Sequence, residues 1–280
     1  MTSETTITPP TTARRSLLLP GLLLAVVMLL AGSATAIAAP PNPVANIAAG
    51  TLPSACTSAA NGRVCINGVL ATLDSARARL GFGPYLVPSD FASLPGTEQL
   101  LILCNLDRLA YGLPPIDGLS PALNAVAAAG VTADADPDPS ALLSGLSDFG
   151  WASNWAGAFP NAPEAYYAWM YYDGWGGKQT SNLDCTSPTA SGCWGHRQDV
   201  LSFPQQGMLA MGAAVTQDAQ GQLGYAMTLV WTPASSTNWT SYSYGWATAK
   251  ADGAGSPNQK TSSVRRRPAH GRRHAHARIG

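Results

Sequence analysis

His196 is the one histidine outside the C-terminal tail, and it stands in Trp194-Gly195-His196-Arg197-Gln198-Asp199-Val200-Leu201, just after the closely spaced Cys185 and Cys193. Upstream, Asn161 to Gly174 holds the densest aromatic run and two acids, Glu164 and Asp173. An imidazole changes charge near neutral pH, and a carboxylate beside it fixes its tautomer or exchanges its proton. His196 with Asp173 or Glu164 therefore forms the candidate acid–base set: a carboxylate would act as base or acid while His196 orients the attacked group. Trp155, Tyr172, Trp175 and Trp194 present flat apolar faces with a polar handle, which suits sugar rings or lipid chains, and they are the expected lining of a cleft around His196. Tyr166, Trp169 and Met170 share one helical face and are expected in the core. Arg197 to Leu201 would set His196 at a helix N-terminus, where the dipole opposes positive charge, so a neutral imidazole is expected.

The elements that must hold these side chains are mainly helical. Val69, Leu73, Ala76 and Leu80 recur at helical spacing up to Gly81. Leu100 to Tyr111 reads as a helix with Thr97 as N-cap, Gly112 at C′ and Pro114-Pro115 beyond it. Ser120-Pro121 opens another that Gly130 should stop. Asp134, Asp136 and Asp138 alternate in a turn-rich loop that lacks the glycine and distal glutamate of an EF-hand, so a solvated loop is expected there, followed by a short helix from Ser140 to Leu146. Asn161-Ala162-Pro163-Glu164 has capping-box spacing, which gives Glu164 a capping role in competition with the catalytic one, and Gly174 should close that helix. Met208 to Val215 and Tyr225 to Trp231, joined by Gln217-Asp218-Ala219-Gln220-Gly221, read as an antiparallel hairpin. Helices first and a hairpin late give an α+β fold.

Residues 1–38 have the form of a signal peptide: a polar start, Arg14-Arg15, an apolar stretch from Leu17 to Ala31, and small residues at Ala34 to Ala38. About 15 helical residues span only ~22 Å, short of the ~30 Å bilayer core, so a leader fits better than an anchor. The arginine pair leaves the twin-arginine route open. Residues 39–55 form a spacer, 56–232 the folded domain, 233–263 a low-complexity linker and 264–280 a basic tail. Export makes the five cysteines readable as disulfides. Fifteen arrangements leave one cysteine free, and locality favours Cys56 with Cys65 and Cys185 with Cys193, each loop worth ~2–3 kcal/mol. Cys104, among leucines, is expected as a buried thiol. From Pro41 to Lys250 there are 14 acidic and 7 basic residues, whereas the last sixteen carry six arginines and no acid. An acidic exported body argues against nucleic-acid binding; the tail would suit an anionic wall polymer or lipid surface.

Three stretches resemble the CAP superfamily (cysteine-rich secretory, antigen 5 and pathogenesis-related proteins) in its bacterial secreted branch. They are Asn105-Leu106-Asp107-Arg108 with Gly112-Leu113-Pro114, then Gly195-His196-Arg197 through Val200-Leu201, then Met211 to Val215 with Tyr225 to Trp231. The resemblance spans about residues 66–232. It implies a three-layer α-β-α sandwich around a small antiparallel sheet, with a cleft that in some members holds a divalent metal such as zinc on two histidines and two acids. Of that set His196 alone carries over. The first-histidine position falls at Ala129 or Gly130, one acid at Ser153, and the other at Tyr172 with Asp173 adjacent. Zinc sites take at least three protein ligands, so the set is incomplete and no metal ligand is assigned. The resulting expectation is a non-catalytic, secreted binding protein for a lipid, glycan or peptide at the cell envelope. A wall-directed hydrolase using His196 with Asp173 or Glu164, and a surface adhesin acting through the tail, are the alternatives.

Overall fold

In chain order the elements are α1 (Arg63–Arg79), α2 (Gly96–Ala110), β1 (Gly118–Leu119), α3 (Pro121–Ala133), α4 (Ser140–Leu143), β2 (Gly150–Gly157), α5 (Ala162–Tyr171), α6 (Gly195–Val200), β3 (Met208–Gln217), β4 (Leu223–Thr232), β5 (Tyr244–Gly245) and α7 (Trp246–Ala251). This computed structural model describes residues 40–47, 56, 60–176, 182–234 and 241–255. The leader at 1–38, the basic tail and part of both the spacer and the linker lie outside the described residues. The strands form one mixed sheet in the order β2-β4-β3-β1-β5, in which β1 runs parallel to β3 and the other pairs are antiparallel. The fold is α+β.

The expected hairpin is the centre of the sheet: β3 pairs with β4 from Met208 opposite Thr232 to Gln217 opposite Leu223. Its residues are apolar without alternation because both faces are covered. Leu209, Met211, Ala213, Tyr225, Met227 and Leu229 join the main core with α1, α2 and α5. Ala210, Ala214, Ala226 and Val230 pack on Leu123, Ala127 and Val131 of α3. Helices therefore lie on both faces of the sheet.

The disulfides Cys56–Cys65 and Cys185–Cys193 are formed and Cys104 is a buried thiol. Other boundaries differ from expectation for tertiary reasons. Helix α2 begins on Gly96, with Pro95 as cap and no side-chain cap, so Thr97 lies inside it. Helix α3 continues through Gly130 to Ala133 and ends on Asp134 in a left-handed turn at φ 50°. Gly130 is there because the chain doubles back: a Cβ would stand 2.9 Å from the Ala135 carbonyl and 2.9 Å from the Pro137 ring. Helix α4 stops at Leu143, short of Leu146, and α5 ends at Tyr171 with Tyr172 as cap rather than at Gly174. The domain extends past Thr232, since β5 pairs with β1 and Trp246 is buried. Part of the spacer is docked as well: Ile47 N–H donates to the Tyr171 carbonyl at 2.9 Å, and Tyr167 Oη–H donates to the Ile47 carbonyl at 2.8 Å.

Among the buried carboxylates, Asp107 on α2 has no exposure to solvent. It accepts hydrogen bonds from Tyr85 (2.6 Å), Tyr166 (2.6 Å) and Tyr171 (2.8 Å) and pairs with the guanidinium of Arg77. Arg77 also donates to the Gly83 carbonyl at 2.8 Å and lies over the Tyr85 ring at 4.2 Å. These contacts tie α1, α2 and α5 together. Removing one partner of a buried pair strands the other charge, so Asp107→Asn is expected to cost ~3–5 kcal/mol, read from the denaturant midpoint. Tyr166→Phe, losing one hydroxyl, is expected to cost nearer ~1–2 kcal/mol, and equal losses for the two variants would contradict this account.

Candidate functional site

Two arginines deliver α6, and with it His196, to the cleft. Arg108 donates from α2 to the carbonyls of Pro114 (2.8 Å), Val200 (2.9 Å) and Ser202 (2.7 Å). Asn105, one turn back, brackets Ile116 through its side-chain amide, accepting at 2.6 Å and donating at 2.9 Å. Arg197, fully buried, donates to the Met170 carbonyl at 3.0 Å and to Tyr111 Oη at 2.5 Å, and lies over the Tyr111 ring. Within the Gly-His-Arg segment, then, the arginine is an anchor and the histidine is what the anchor presents.

His196 and Asp173 meet. His196 Nδ1 lies 2.7 Å from Asp173 Oδ1, with the imidazole 23% exposed and the carboxylate 1% exposed. Asp173 follows the cap of α5, and its second oxygen accepts the Arg197 amide at 3.1 Å. Asn182 donates to Asp173 Oδ1 at 2.6 Å, and Trp194 N–H donates to the Asp173 carbonyl at 2.9 Å. The carboxylate thus joins the end of α5, the disulfide loop and the start of α6. Asn154 of β2 holds the other side by donating to the His196 carbonyl at 2.9 Å.

The dyad opens on a cavity of about 590 Å³, within the range of small-molecule sites. Its walls include Trp155 and Trp169, Ala156 to Phe159, and the loops carrying Asp134, Asp136, Asp184 and Asp218. Asp136 lies in the solvated loop expected for it and is exposed, and from there it also takes the Trp155 backbone amide at the outer edge of β2 and acts electrostatically on His196. That position acts against the lowering expected for an imidazole at a helix N-terminus. Burial alone would lower the His196 pKa, but the Asp173 hydrogen bond and charge, with Asp136 and Asp199, carry it above 6.5. The positive end of a six-residue helix is outweighed by three carboxylates. Asp199, one turn further along α6, is pushed up to about 7 by burial, with Asp136 and Asp173 adding to the rise and His196 opposing it. Burial likewise raises Asp173 although His196 pulls it down. The rise of His196 governs the pair, because three carboxylates act on one imidazole.

The remaining candidates lie elsewhere. Trp155 lines the cavity as expected. Trp194 is buried with its indole against Gly174, where a Cβ would stand 2.7 Å from Nε1. Tyr172 stacks on Tyr167 at 6.3 Å, and neither it nor Trp175 is among the lining residues. Glu164 is buried beside the Cys56–Cys65 disulfide and bonds Asn161 on both sides: its amide donates to Asn161 Oδ1 at 3.0 Å and its carboxylate accepts from Nδ2 at 3.0 Å. Asn161 is the cap of α5, the Glu164 carboxylate holds the side chain of that cap rather than its backbone, and Glu164 does not line the cavity. Asp136 and Asp199 are the participants that pattern reading missed. Asp199 had a signal, its i+3 spacing from His196, whereas Asp136 had none beyond its loop.

No family model, curated protein or solved structure matches the chain. Chemistry alone tests the zinc set that the resemblance implies. His196 commits Nδ1 to Asp173, Gly130 offers no side-chain ligand, and Ser153 is buried with its hydroxyl donating to Thr228 at 2.9 Å. Among the described residues one group of three potential ligands converges, Cys56, Cys65 and Glu164, and its sulfurs are bonded to each other. The donors at His196 do not fit a zinc site.

Because the folded His196 pKa is raised, the pair's contribution to stability is complete below the ordinary value of 6.5 and is lost as pH climbs through the raised midpoint. NMR titration of the imidazole should place its midpoint above that value in the native protein and about a unit or more lower in Asp173→Asn. An unshifted midpoint in the variant would remove Asp173 as the cause.

Proposed function

We propose that this is an exported CAP-type domain, its sheet the middle layer of the family's sandwich, whose cleft beside His196 binds a small ligand at the cell envelope. The observation that carries the reading is the cavity itself: about 590 Å³, walled by Trp155 and Trp169 and floored by a fixed His196–Asp173 pair. The export reading is supported by the leader-like residues 1–38 and by two disulfides. Among the described residues no helix is long and apolar enough to cross a membrane. The CAP reading is supported by Arg108 and Arg197 acting as the struts of α6, with Asn105 holding Ile116.

The 2.7 Å contact between His196 and Asp173 favours a second reading, hydrolysis. Asp173 would hold the imidazole in one orientation, and the outward nitrogen would pass a proton between water and the leaving group. Among the described residues no serine, threonine or cysteine lines the cavity, and water is the nucleophile this reading takes.

Tryptophan fluorescence of the secreted chain, titrated with a wall stem peptide, a chito-oligosaccharide and a phospholipid dispersion, separates these readings. Binding predicts a saturable change with one of them that Trp155→Ala weakens about tenfold or more, with the probe recovered intact. Cleavage products that vanish in His196→Ala would replace binding with hydrolysis, and no saturable change with any probe would sink the cleft as a site.

A further inference from the structure

The cavity wall is one-sided in charge. Asp134, Asp136, Asp173, Asp184 and Asp218 line it, and His196 is the only described lining residue able to carry a positive charge. The nearest lysine in sequence, Lys178, lies outside the described residues. Arg197 is adjacent to His196 in sequence but turns its guanidinium away, to Met170 and Tyr111. Among the described residues the ion pairs are Arg77 with Asp107 and His196 with Asp173, and no described cationic side chain pairs with Asp134, Asp136, Asp184 or Asp218. Two are held in place by neutral donors instead. Gln220 donates to Asp134 at 2.7 Å, and the Gln220 and Gln222 amides donate to Asp218 at 2.9 and 2.7 Å. Fixed carboxylates around a concave, partly apolar wall focus a negative potential into it.

These acids do not converge as metal ligands do, since no group of three including any of them meets within ion-binding reach among the described residues. They are spread around a cavity large enough for a chain of several heavy atoms. Trp155 and Trp169 supply the apolar and π surface along which such a chain, or its charged end, would lie. We propose that the cleft selects a ligand carrying an aliphatic ammonium group, either a free diamine or an amine-bearing peptide side chain, with the ammonium seated between Asp136 and Asp218 and its methylenes along Trp155. This rests on the cleft being a ligand site and adds the charge of what it takes.

The test titrates the full secreted chain with matched probes: 1,5-diaminopentane, Nα-acetyl-lysine methylamide, 1-pentanol and hexanoate, followed by tryptophan fluorescence and calorimetry. The two amines are expected to saturate with affinity about tenfold or more above the alcohol, and to weaken as salt rises. Tighter binding of the diamine than of the lysine amide names a free diamine as the ligand, and the reverse order names a peptide side chain. Asp136→Asn and Asp218→Asn keep a side-chain acceptor for the backbone amides these residues hold, so the fold is retained; each is expected to weaken the amines about tenfold. Asp148→Asn, exposed and outside the cavity, is expected to change nothing. Alcohol or hexanoate binding as tightly as the amines, or unchanged amine affinity in both cleft variants, overturns the charge assignment and leaves the cleft as a site. Failure of every probe to saturate overturns both.

Discussion

A single buried carboxylate sets the arrangement of the helices. Asp107 sits on α2 with no access to water, and an ionised acid there persists only if its lone pairs and its charge are met. Tyr85, Tyr166, Tyr171 and Arg77 meet them, from α1, α5 and the segment after α1. Each donor fixes the distance and roll of its own element relative to α2, because a hydroxyl or guanidinium misses the carboxylate if the helix slides by half a turn. Burial, then the Asp107 charge, hold the three tyrosines well above their ordinary pKa, so they remain donors across the usual pH range.

That constraint reaches the cleft in two steps. With α5 fixed, its end delivers Asp173 to a set place; with α2 fixed, Arg108 and the hydroxyl of Tyr111 at its C-terminus set the height and rotation of α6. His196 then faces Asp173 because α5 and α6 are both referred to α2. A short helix has little stability of its own, so its position comes from these charged ties to backbone carbonyls.

Much of this was readable from residues, and the failures share a cause. The apolar periodicities of α1, α2 and the β3–β4 hairpin, the Asn161 cap and the two local disulfides follow from near neighbours, and they stand. Asp173 could be named as a partner for His196 because the resemblance puts an acid on the aromatic helix at Tyr172, one position away. Gly130 misled because its missing side chain serves the approach of Ala135 and Pro137, a tertiary contact, rather than a helix stop. Asp136 is exposed as expected, but its action on Trp155 and His196 left no trace in the sequence because they are 19 and 60 positions away in the chain. Trp194 and Tyr172 looked available to a ligand because amphipathic rings read alike in sequence whether they meet Gly174, Tyr167 or water. The segment from Ser241 to Gly255 looked like linker because a two-residue strand and a six-residue helix leave almost no periodic trace.

The outer border of the sheet carries a consequence of its own. Strand β2 is the last strand on its side, and such a border normally offers unpaired amides and carbonyls to any passing extended chain. At Trp155 both outward groups are occupied: the Asp136 carboxylate takes the N–H, and the Trp169 indole donates to the carbonyl at 3.1 Å. A second copy attempting to add a strand would have to displace a charged side chain and a buried ring at the middle of the border. The loop that supplies the mouth of the cleft with charge thereby also blocks the addition of a further strand at this border.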